Sequence, residues 1–91
     1  SMNPLQDLEG LPERVGGNLV LTWNPNLPLL RLLLCDVSLR VLLWQPSETG
    51  LDIQDHGTDD IINRYQKQGR AALSACATEL IKAGFRGNAK L

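Results

Sequence analysis

The stretch "LLRLLLCDVSLRVLLWQP", residues 29–46, is the most apolar run in the chain, and its reading decides the fold. Read as a helix between Pro28 and Pro46, at about 100° per residue, it gathers Arg31, Ser38 and Gln45 on one side and sets Asp36 and Arg40 on the other. That makes two narrow polar stripes instead of one broad polar face. Read as two strands, 29–35 and 39–45, it turns at "DVS", where Asp36 and Ser38 can bond their own backbone, and Val41 and Trp44 suit strands. The hairpin is the preferred reading. A buried helix stays as its rival, because leucine forms helices better than strands.

The hairpin sets a problem of cover. Leu30, Leu32 and Leu34 face one side of the first strand, and Leu29, Leu33 and Cys35 face the other with Arg31. On the second strand Leu39, Val41 and Leu43 oppose Leu42 and Trp44. Neither face is polar, and such strands are normally covered on both sides.

Upstream, "NLVLTWN" (18–24) reads as a strand between a Gly-Gly turn and the breaker cluster "NPNLP". Before it, "NPLQDLEGLPERVGG" allows one helical turn over residues 4–9, capped by Asn3 with Pro4 first in the helix. Downstream, a short strand is expected at Leu51–Ile53, then a helix from Asp59 to Ala83. Thr58 is its expected N-cap, and Asp59 and Asp60 complement the dipole in the first turn. Gly84 and Phe85 fit a Schellman stop against Leu80, and Gly69 predicts a kink or a break. Ile62, Tyr65, Ala72, Leu73, Cys76, Ala77, Leu80 and Ile81 form the apolar face.

The expected fold is therefore α+β: one domain over residues 1–91, with a small antiparallel β-sheet of about three strands and one long C-terminal α-helix packed on it. The helix covers one sheet face. A second copy is the economical cover for the other, because a bare leucine-rich face is an aggregation hazard. The expected function is a non-enzymatic protein-interaction or dimerisation module, with Leu30, Leu32, Leu34, Val41, Leu43 and Trp44 as its association surface.

Charge supplies the alternative. Residues 1–60 carry three basic side chains against nine acidic ones, and residues 61–91 carry six against one. Arg64, Lys67, Arg70, Lys82, Arg86 and Lys90 could form a basic strip for nucleic acid. Few aromatics, no recognisable binding module and a sequence pI near 5.7 weigh against that strip.

Nothing in the pattern signals catalysis. Glu48, Asp52, Asp55, His56, Asp59 and Asp60 crowd one loop, but a lone histidine completes no metal set and the spacing is not that of an EF-hand. Cys35 and Cys76 lie in apolar runs outside any C-x-x-C spacing and read as buried thiols. No cofactor, metal or small-molecule substrate is expected. The leucine run is too short and too interrupted by charge to span a membrane, no secretory signal opens the chain, and a cytoplasmic location is expected.

Overall fold

The structure is a computed structural model and describes residues 8, 10–47, 50–53 and 57–91. Of the helical turn expected over residues 4–9 only Leu8 is described, and the loop residues Glu48, Asp55 and His56 lie outside the described residues.

The chain is a small α+β domain with short strands and a helical C-terminal half. Strands β1 (Arg14–Val15), β2 (Leu19–Thr22), β3 (Asp36–Val37), β4 (Val41–Ser47) and β5 (Gly50–Ile53) precede helices α1 (Thr58–Tyr65) and α2 (Leu73–Lys82). The expected antiparallel sheet is corrected to a mixed one. β2 pairs with β4 in parallel, Leu19 beside Val41 and Thr22 beside Trp44, and only β4 and β5 run antiparallel. β1 and β3 add a second short parallel pair. The strand order is β2-β4-β5, with β1-β3 apart.

The leucine run explains the difference. Leu29–Leu34 is a 3₁₀ helix, not a strand, opened by Arg31 N–H donating to the Pro28 carbonyl and followed by Cys35 N–H donating to that of Leu32. A 3₁₀ helix repeats every three residues. Arg31 and Leu34, three apart, face outward, while Leu29, Leu30, Leu32 and Leu33 are buried. Neither a 3.6-residue nor a two-residue period fits because the period is 3. Asp36–Val37 then extends beside β1 where a turn was expected, and the crossover makes β4 parallel to β2.

The single long helix is also corrected. It breaks after Tyr65 into a 3₁₀ segment, Gln66–Ala72, inside which Gly69 takes φ 61° and ψ −139°. α2 ends as its sequence indicates. Gly84 adopts φ 95°, its N–H donates to the Ile81 carbonyl, and Phe85 N–H donates to the Leu80 carbonyl at 2.8 Å.

The core is aliphatic. Leu21, Leu29, Leu32, Val41, Leu43, Ile62 and Leu80 are fully enclosed, joined by Cys35 and Cys76. Leu19, Leu21, Val41 and Leu43 turn one sheet face inward, and α1 packs on β4. The last turn, Arg86–Asn88, is fixed by buried Asn88, whose Nδ2 donates to the carbonyls of Asn24 and Leu27. No helix among the described residues is long and apolar enough to cross a membrane.

Candidate interaction edge

The ladder formed by residues 13–23 and 35–44 has two outer edges, and the chain treats them differently. Successive strand residues turn their backbone groups to opposite edges. Arg40 and Trp44 give their carbonyls to the N–H groups of Leu19 and Trp23. Asp36 and Ser38 donate to the carbonyls of Glu13 and Val15. The intervening residues Cys35, Val37 and Val41 therefore point to the opposite edge.

That edge is sealed by side chains from the helical half. Asn63 on α1 accepts from Val41 N–H at 2.8 Å and donates to its carbonyl at 2.9 Å. Gln66, buried, accepts from Val37 N–H at 3.3 Å and donates to the carbonyls of Leu32 and Cys35. Lys67 Nζ donates to the Val37 carbonyl and bonds Asp36 at 3.2 Å. Spacing 63, 66, 67 places the three on one side of the chain leaving α1. Beyond Asn63 the edge passes to β5, paired from Trp44 onward.

The edge of β2 differs. By the same alternation Val20 and Thr22 turn their N–H and C=O groups away from β4, and among the described residues no strand lies beyond β2. Their side chains share the second sheet face with Leu42 and Trp44, all four half-buried. On this face the Thr22 hydroxyl and the Trp44 indole N–H are enclosed without a hydrogen-bond partner among the described residues, although the two residues are register neighbours.

Of the surface residues expected from the sequence, Leu30, Leu32, Val41 and Leu43 stand in the core of a single chain. The 3₁₀ period and α1 use the sides that a hairpin would have exposed. Leu34 is exposed and Trp44 is half-buried, and they sit in different parts of the fold. The basic residues are likewise dispersed. Arg64 is bidentate to Glu79 at 2.9 and 2.6 Å, and Lys67 belongs to the sealed edge. The Gly69 break separates both from Arg70, so the spacing of three does not continue along one helix face. Arg70, Lys82, Arg86 and Lys90 are exposed and make no ion pair among the described residues. Of the four ion pairs among the described residues, only Lys67–Asp36 joins the acidic front of the chain to its basic back.

The remaining titratable groups hold the fold together. Glu79 accepts from the Tyr65 hydroxyl at 2.6 Å and from Arg64, which joins α2 to α1 across the break. Those donors keep its carboxyl below the ordinary range, and the bond to Glu79 raises the Tyr65 phenol. Burial pushes the Cys76 thiol up to about 11 and raises that of Cys35, so both stay protonated near neutrality. An open cleft of about 520 Å³ beside Cys35 is lined by Glu13, Asp36, Gln66 and Lys67, and the last three are already committed to one another or to backbone. The described residues contain no cluster of three or more metal-ligating side chains.

Sequence reasoning overlooked Asn63, Gln66, Val20 and Thr22. Gln66 carried a usable signal: it lies four residues after Ile62, on the apolar face, where a buried amide needs backbone to bond. Val20 and Thr22 carried none, because which residues point outward depends on the strand pairing. No protein-family model matches the chain, and neither the curated proteins nor the solved structures contain a match.

Proposed function

We propose that the chain is a small non-enzymatic interaction module that accepts an extended segment along the outer edge of β2. The asymmetry of the two edges carries this reading. One edge is closed by Asn63, Gln66 and Lys67, while among the described residues no strand pairs with the outer edge of Val20 and Thr22. Natural sheets blunt free edges with charge, proline, bulges or cover. Here no charged residue occurs from Val15 to Leu30, although shortness limits the exposed edge to four residues.

The adjoining face supports the same reading. Parallel strand pairs are normally covered on both faces, and Val20, Leu42 and Trp44 are only half-buried. Strand addition would supply main-chain hydrogen bonds at Val20 and Thr22, with alternate side chains setting the choice of partner.

The test is amide hydrogen exchange, read residue by residue, on titration with a synthetic peptide of residues 18–24. Val20 and Thr22 should slow together, with little change at Leu21, whose amide already faces β4. Unchanged exchange at both positions with excess peptide would refute the reading.

A further inference from the structure

We infer that the segment received at this edge is β2 of a second copy, paired antiparallel about a two-fold axis at Leu21; this rests on the edge reading above. The backbone fixes the register. In an antiparallel pair, two opposed residues exchange both hydrogen bonds only when each turns its backbone toward the other. Val20 and Thr22 are the outward residues of β2. Centring the axis on Leu21 sets each Val20 opposite the other copy's Thr22. All four outward groups of each β2 are then satisfied, and the interface is self-complementary, as a two-fold contact must be.

Charge favours the same partner and the same direction. The nearest charged residues on either side of β2 are Arg14 and Arg31, so the edge offers no charge for selecting a different, charged partner. Antiparallel pairing about Leu21 places the two Arg14 residues twice seven residues apart, roughly 45 Å at ~3.3 Å per residue. That is several Debye lengths at physiological salt. Parallel, in-register pairing would set Arg14 directly beside Arg14, where like charges repel.

The contact is small. Four strand residues per copy bury far less than the roughly 800 Å² per partner of a standard interface, so the dimer should dissociate on dilution.

Sedimentation equilibrium of the whole chain, from low micromolar to millimolar, tests the proposal together with Thr22→Pro. Proline at 22 removes an outward donor and leaves the bonds to β4 intact. The expected result is a mass rising from one chain to two in the wild type and staying at one chain in Thr22→Pro. In the wild type, exchange at Val20 and Thr22 should slow over the same concentration range, a readout that survives if the proline variant fails to fold. A monomer throughout overturns the second copy; if the 18–24 peptide still protects Val20 and Thr22, the edge reading stands without it. A dimer in which Val20 and Thr22 exchange as fast as in the monomer overturns the pairing.

Discussion

The side-chain amide of Asn63 gives Val41 the two hydrogen bonds a neighbouring strand residue would give, accepting from its N–H at 2.8 Å and donating to its carbonyl at 2.9 Å. Val41 is wholly buried, so no water replaces a lost partner easily. Asn63→Ala should therefore cost about 2–3 kcal/mol, from two lost bonds and a stranded backbone pair. Asn63→Asp should cost at least as much, because a carboxylate cannot donate to the Val41 carbonyl. Urea denaturation of the two variants checks both; a loss below about 0.5 kcal/mol for alanine would show that the edge needs no such seal.

Gly69 makes the corner between α1 and α2. Its φ of 61° with ψ of −139° lies in a region that is essentially confined to glycine. An added Cβ would meet the Leu33 carbonyl oxygen at 3.5 Å, an ordinary contact, so the penalty of Gly69→Ala comes from the backbone. A loss of about 1–3 kcal/mol is expected in the same denaturation assay. Straightening of the segment into one continuous helix would instead appear as increased helical circular dichroism.

These two positions show what the sequence could reveal and what it could not. Gly69, Gly84 and Phe85 act locally, through backbone freedom and capping, so the break and the Schellman end were legible. The alternation of Leu19 and Leu21, and of Val41 and Leu43, marked the inward sheet face. Strand direction was not legible. Asp36 and Ser38 favour a turn, but the six leucine-rich residues before them close as a 3₁₀ crossover, and tertiary burial of four leucines outweighs the local turn preference. The proposed site depended on that same direction: reversing β2 against β4 changes which residues face outward, and no local rule names Val20 and Thr22.

Glu79 makes stability depend on acid. The Tyr65 hydroxyl and then Arg64 lower its folded-state pKa. A depressed carboxyl pKa contributes stability above the unfolded value, about 4.3, and loses it as pH falls through the lower folded value. Melting temperature should therefore fall on acidification below about pH 5, and Glu79→Gln should flatten part of that slope. An identical acid slope in Glu79→Gln would assign it to other carboxylates.

Cys76 acts at the opposite end of the scale. Burial raises its thiol from 9.0 to about 11. Between those values the unfolded thiol ionises while the folded one keeps its proton, so stability falls as pH rises through that window. Cys76→Ala should lose this part of the alkaline slope while losing some stability at every pH, because it leaves a small cavity in the core. Denaturation midpoints at neutral pH and above pH 9 separate the two effects; an unchanged alkaline slope would place the titration at Tyr65, whose raised pKa acts in the same direction.

The C-terminal turn closes the domain over the loop that follows β2, and Gly87 is where the approach is closest. A Cβ there would collide with the Pro25 carbonyl oxygen, a backbone atom that cannot rotate away. The neighbouring anchors are Asn88, bonded to Asn24 and Leu27, and the Lys90 carbonyl, which accepts from Leu30 N–H at 3.1 Å. Gly87→Ala forces the turn off that loop and should cost about 1–3 kcal/mol, as overpacking does. Asn88→Ala leaves two carbonyls without their donor and should cost a similar amount. The shared anchor makes the pair non-additive: once Gly87→Ala has lifted the turn, Asn88→Ala has little left to remove. Urea midpoints of the two single variants and the double variant measure this directly. A double variant equal to the sum of the singles would mean that Gly87 and Asn88 hold the turn independently.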